Sequence, residues 1–148
     1  MDAVVLAKAC ADVMWSADRA SQSMGMNVEG VSPGCATLSM TVVEEMANGH
    51  GLCHGGLIFS LADSAFAFAC NSENLSAVAA GARIDYISPA KLGDKLTAVA
   101  MQVSQGRRTG VYDVEVTNQD AKPIAIFRGN AYRIGTKLVE EETGVAAQ

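Results

Sequence analysis

The sequence predicts an α+β fold in which a strongly bent antiparallel sheet wraps one central helix, and three observations carry that expectation. The segment 57–70, LIFSLADSAFAFAC, is rich in helix formers and apolar on almost every side, so it must be covered nearly all round. Strand-like runs lie on both sides of it along the chain, separated by turn residues. The chain has 148 residues, 49% of them apolar, which suits one packed domain spanning 1–148 and leaves little room for a second.

The elements follow in order. Residues 3–22 read as a helix: Val4, Val5, Ala7, Lys8, Ala11, Met14, Trp15 and Asp18 keep a three- and four-residue spacing that gives a mainly apolar stripe. Gly25, Gly30, Pro33 and Gly34 then read as turns. Over 35–43, Ala36, Leu38, Met40 and Val42 alternate with Thr37, Ser39 and Thr41, the pattern of a half-buried strand. The stretch 48–56 holds four glycines and two histidines and reads as a loop into the central helix. Four further strands are expected at 77–86, 95–105, 111–117 and 124–134. Turns fall at Ser88-Pro89, Gly93-Asp94, 106–110 and 118–120. Residues 136–148, with three consecutive glutamates, read as a loose tail.

Composition excludes several functions. A net charge of −5 argues against a general nucleic-acid binder, which needs a basic face. No uncharged apolar window reaches the length of a membrane-spanning helix. Asp2, Lys8 and Asp12 interrupt the N-terminus too early for a signal peptide. Cys10, Cys35, Cys53 and Cys70 form no close-set pair, so zinc ligation is not indicated; reduced, mostly buried thiols in a cytoplasmic protein are expected.

Asp63 is the outlier of the apolar helix. A buried carboxylate costs several kcal/mol unless compensated, and no Lys or Arg lies between Asn48 and Ala82. The bland alternative is an Asp facing a wet edge or bonded to Ser60, Ser64 or nearby backbone. The functional one gains from His54-Gly55-Gly56 at the helix start, where N–H groups are unpaired and carry partial positive charge. Such a place suits a carbonyl oxygen gaining negative charge. Gly55 and Asp63 are nevertheless about 12 Å apart along one helix, too far to serve one carbonyl. Two antiparallel copies of the helix would pair Gly55 of one subunit with Asp63 of the other, giving a dimer with two shared sites.

These residues carry a resemblance. The stretch 46–72, MANGHGLCHGGLIFSLADSAFAFACNS, resembles the hotdog-fold acyl-CoA thioesterases, and within them the phenylacetate-degradation branch. Ile84-Asp85-Tyr86, 106–113 and Phe127-Arg128-Gly129 extend the likeness over most of 35–135. The resemblance implies the hotdog fold, with the curved sheet around its long helix and an added N-terminal helix. It implies hydrolysis of phenylacetyl-CoA or ring-hydroxylated relatives with no metal or redox cofactor, coenzyme A being part of the substrate. Asp63 is then general base or nucleophile and the Gly55 N–H polarises the thioester carbonyl. Asn48 helps place carbonyl or water, and His54 orients the thioester unless it merely caps the helix. A tetramer of two dimers is also implied.

For the coenzyme, the resemblance points to Asp85 and Tyr86, within 85–89, and to the turn Gly106, Arg107, Arg108, Thr109 and Gly110. There, cations and free N–H groups can meet phosphates; Arg128 and Arg133 are further candidates. A Cys53–His50 nucleophile pair lacks an evident orienting partner. Two other readings compete. Hotdog hydratases and dehydratases open this loop with His-Pro, whereas this chain has His-Gly-Gly. A non-catalytic acyl-CoA binder would not need Asp63.

Overall fold

The computed structural model describes residues 1–141. Its elements are α1 (Ala3–Ala17), α2 (Arg19–Ser23), β1 (Asn27–Ser32), β2 (Cys35–Thr41), α3 (Gly55–Cys70), β3 (Ala77–Tyr86), β4 (Lys95–Gln105), β5 (Thr109–Thr117) and β6 (Pro123–Arg133). The strands form one antiparallel sheet in the order β1-β2-β4-β5-β6-β3. The consecutive strands β4, β5 and β6 make a meander. β3 arrives beside β6 from the far side of α3 and is left as an edge.

The sheet curls about α3, which packs against β2, β4, β5, β6 and β3 in turn. Its covered face comprises Ile58, Leu61, Ala62, Ala65, Phe66, Phe68, Ala69 and Cys70. Phe66 sits among Tyr112 and Phe127, with ring centroids 5.7 and 5.9 Å away. Gly129 is required there, since a Cβ would stand 2.8 Å from the Phe66 ring. Truncating a ring in such a core costs about 3–5 kcal/mol.

The helix is not covered all round, as the apolar sequence suggested. Gly56 is exposed and Ser60, Asp63 and Ala67, spaced along one face, are only half-buried. A single curled sheet covers a helix from one side, and this stripe is what it leaves.

Other differences are local. The helix expected over 3–22 breaks at Asp18, whose carboxylate caps α2 through Ser21 N–H. The stretch taken as turns contains β1, whose register shifts between Val28 and Gly30; a glycine within a strand marks a bulge as readily as a turn. β5 begins at Thr109, so the turn before it is shorter than 106–110. The expected loose tail is tied down at its start. Asn74, buried with φ 62°, accepts from the N–H groups of Leu138 and Val139 and donates to the Val139 carbonyl. The Ser76 N–H bonds Thr136. Residues 142–148 of that tail lie outside the described residues. Among the described residues no helix is long and apolar enough to cross a membrane.

Candidate active site

The loop before α3 is built by Asn48. Its Oδ1 accepts from the N–H of His50 at 2.9 Å and of Leu52 at 3.2 Å, while its backbone N–H reaches the Leu52 carbonyl. Asx turns of this kind close a loop without regular structure. The Cys53 N–H donates to Ala90 and the His54 N–H to Met46, which docks the end of the loop on both neighbours.

His54 is the N-cap of α3, its Nδ1 accepting from Gly56 N–H at 2.9 Å. The cap offered by the sequence is thus present, with Nδ1 as its acceptor. The N–H of Gly55 has no partner among the described residues. Gly55 and Asn48 share the wall of a cavity of about 280 Å³ with Ile58, Tyr86, Ser88 and Pro89. The Asn48 carboxamide NH₂ donates to nothing among the described residues, so two donors remain available at one cavity. This is the arrangement an oxyanion needs.

Asp63 lies on the open stripe of α3. Its pKa is raised, with burial as the cause, and no hydrogen bond or ion pair offsets it among the described residues. The bland partners are otherwise engaged: Ser60 donates to the Gly56 carbonyl, and Ser64 meets Ser21 at 2.9 Å. Asp63 does not line the cavity at Gly55, as the helix spacing required. Cys53 is a poor nucleophile here: it is buried, burial pushes its thiol up, and its Sγ faces the His54 carbonyl at 3.7 Å. His50 is exposed, and among the described residues only its backbone N–H is engaged.

The residues suggested for the coenzyme fall into two places. Tyr86 stands at the Gly55 cavity, its hydroxyl donating to the Gly55 carbonyl at 2.8 Å. Asp85 is exposed beside Arg83, 3.5 Å away. The turn 106–110 is at the other end of the sheet, where Thr109 pairs with Tyr132, which in turn pairs with Val78 at the start of β3. Eight strand residues, about 26 Å, separate Val78 from Tyr86. Around that turn Arg107, Arg108 and Arg133 line a hollow of about 580 Å³ with Leu75, Tyr132 and Gly135. Gly106 N–H bonds Thr109 to close the turn, and the Arg133 Nε is buried without a partner among the described residues. Arg128 is elsewhere, in a bidentate pair with Asp113 at 2.6 and 2.9 Å.

Sequence reasoning missed Leu52, Ile58 and Ala90 on the cavity wall. Their placement depends on the contact between two loops at Cys53 and Ala90, which leaves no periodicity to read. It also missed that Tyr86 grips Gly55. Among the described residues no cluster of three or more His, Cys, Asp or Glu is arranged to hold a metal.

Residues 50–125 match the family model described as Thioesterase superfamily. The acyl-coenzyme A thioesterase PaaI of Escherichia coli K12 is 47% identical over 131 residues, covering 88% of this chain and 94% of that one. The solved structure of the E. coli PaaI protein from the phenylacetic acid degradation operon superposes with a TM-score of 0.91 over 92% of this chain and 99% of that one. A hypothetical thioesterase from Streptococcus pneumoniae TIGR4, solved with coenzyme A, is 30% identical with a TM-score of 0.73, covering 76% of this chain and 90% of that one.

Proposed function

Because the chain belongs to the thioesterase superfamily and is an acyl-CoA thioesterase of hotdog fold, we propose that it hydrolyses phenylacetyl-CoA or hydroxyphenylacetyl-CoA to the free acid and coenzyme A, at sites shared between two subunits. The observation that carries the shared site is the separation on α3 of the carboxylate of Asp63 from the N–H of Gly55, neither of which has a partner among the described residues. The aryl substrate is supported by the likeness to the phenylacetic acid degradation protein.

In this reading the Gly55 N–H, with the Asn48 amide, binds the thioester oxygen as it becomes an oxyanion. Asp63 of the partner subunit takes a proton from water, whose oxygen attacks the carbonyl carbon. Collapse expels the coenzyme A thiolate, which leaves with that proton. The alternative is attack by Asp63 itself, giving an anhydride that water then opens. The chemistry calls for no resident metal or redox cofactor, since coenzyme A enters with the substrate.

Two open surfaces support the dimer: the half-buried stripe of α3 and the unpaired edge of β3, most of whose residues are exposed. Antiparallel pairing of two β3 edges would bring the arginine-lined turn of the partner beside Tyr86 and Asp85. Nucleotide phosphates would then meet Arg107, Arg108 and Arg133 of the partner subunit while the thioester reaches Gly55. The exposed run Val99, Met101 and Val103 on β4 offers a further surface for joining two dimers into a tetramer. Four free cysteines fit a reducing, cytoplasmic location.

The test is release of thiol from a panel of aryl- and alkyl-CoA esters by wild type and Asp63→Asn. Aryl esters should turn over fastest, and the variant should lose at least about 100-fold in kcat. Equal turnover by Asp63→Asn would refute the assignment of the carboxylate. An enoyl- or 3-hydroxyacyl-CoA altered without thiol release would point to a hydratase instead.

A further inference from the structure

Tyr86 ends β3 and Gly55 begins α3, 31 residues earlier in the chain. Besides donating its hydroxyl to the Gly55 carbonyl at 2.8 Å, Tyr86 lays its ring on the same residue. A Cβ on Gly55 would stand 3.1 Å from Tyr86 Cζ and 3.2 Å from its oxygen. Gly55 is not in the left-handed region, so what a side chain would meet there is this ring. The same Gly55–Gly56 peptide is held at its other end, where His54 Nδ1 accepts from the Gly56 N–H. The first turn of α3 is therefore gripped on two sides, and the Gly55 N–H is left over.

Tyr86 is itself anchored. The N–H groups of Ile87 and Ser88 both reach the Ile124 carbonyl, and the Ala90 carbonyl takes the Cys53 N–H. The first peptides of a helix are otherwise prone to fray. An oxyanion donor is effective only when its direction is set before the charge develops. The Tyr86 ring is half exposed, so it adds little to the core, and its hydroxyl is spent on this one carbonyl.

We propose that Tyr86 is a positioning residue for the oxyanion donor: its hydroxyl fixes the Gly55–Gly56 peptide and, through the Gly55 Cα, limits the rotation of the adjoining peptide whose free N–H aims at the thioester carbonyl. This rests on the assignment of Gly55 as that donor. The role differs from a coenzyme contact, because it acts on the transition state and leaves ground-state affinity alone.

Tyr86→Phe keeps the ring against Gly55 and removes the donor. With phenylacetyl-CoA, kcat should fall about 10-fold with KM within about twofold of wild type. The melting temperature should be unchanged. On an Asp63→Asn background, which holds the ester intact, the Raman carbonyl stretch of bound phenylacetyl-CoA should lie below its solution value. Tyr86→Phe should move it back toward that value. Unchanged kcat with an unchanged carbonyl stretch, or a rise in KM at constant kcat, would each overturn the proposal. A wild type that leaves phenylacetyl-CoA intact would sink the substrate assignment instead, and is seen before any variant is compared.

Discussion

Asp63 stands eight residues beyond Gly55 on α3, about 12 Å along the helix axis, on the stripe that the curled sheet leaves half open. Among the described residues the carboxylate thus bears partial burial without a compensating bond, and the N–H at the helix start has no partner. Each group is unfavourable in isolation and useful opposite the other.

Asp63 should therefore show itself in two pH dependences. Its raised pKa means that kcat/KM falls, as pH is lowered, through a value above the ordinary 3.8. The stability sign follows from proton linkage: the folded protein binds this proton more tightly than the unfolded chain, so stability is lost as pH rises from 3.8 through the raised value. Asp63→Asn removes that penalty. Its melting temperature should exceed that of wild type at about pH 7.5 and converge with it below 3.8. A variant less stable than wild type at neutral pH would show that the carboxylate is compensated in the assembled protein.

The parts of this site that could be read from sequence are those with local signatures. Asp63 was visible because charge in an apolar helix is costly, and Gly55 because a His-Gly-Gly entry leaves N–H groups free. The end of β3 and both ends of β4 are legible because Pro89, Gly93 and Gly106 mark the turns there, and the start of β3 because the mainly polar run 71–76 precedes it. β1 was hidden because Gly30 and the nearby Pro33 and Gly34 look like turn residues, whereas the bulge at Gly30 depends on pairing with β2. The grip of Tyr86 on Gly55 and the anchoring of 138–139 by Asn74 are contacts across 31 and more than 60 residues. No local pattern encodes them.

A shared site predicts complementation. Asp63→Asn homodimers lack the carboxylate at both sites. Gly55→Pro homodimers lack the N–H at both, since proline has no backbone donor and is tolerated at the first position of a helix. Heterodimers combine one intact site with one doubly damaged site. Mixed subunits, separated by affinity tags on each variant, should recover about half of the wild-type kcat per dimer. Gly55→Pro must first be shown to keep its melting temperature, because the proline ring meets Tyr86. Verified heterodimers as inactive as both parents would refute the pairing of Gly55 with Asp63 across subunits.

The hollow beneath Arg107, Arg108 and Arg133 gives a prediction about affinity rather than chemistry. Arg133 is the informative member: its side chain is 16% exposed, its Nη2 is 3.5 Å from Glu73, and its Nε is buried without a partner among the described residues. A buried donor left unmade costs more than one facing water, so an incoming phosphate gains most there. Arg107 and Arg108 are exposed and contribute mainly a salt-screened attraction. Arg107→Gln with Arg108→Gln should raise KM for phenylacetyl-CoA about 3- to 10-fold at low salt, with kcat unchanged, and the gap should narrow at high salt. Arg133→Gln should raise KM by at least as much and keep the effect at high salt. The discriminating substrate is the phenylacetyl thioester of N-acetylcysteamine, which carries the reacting group and no nucleotide. If these arginines hold phosphates, all variants treat it as wild type does; a KM rise of equal size for the truncated ester would mean that the substitutions act on the sheet and not on the coenzyme.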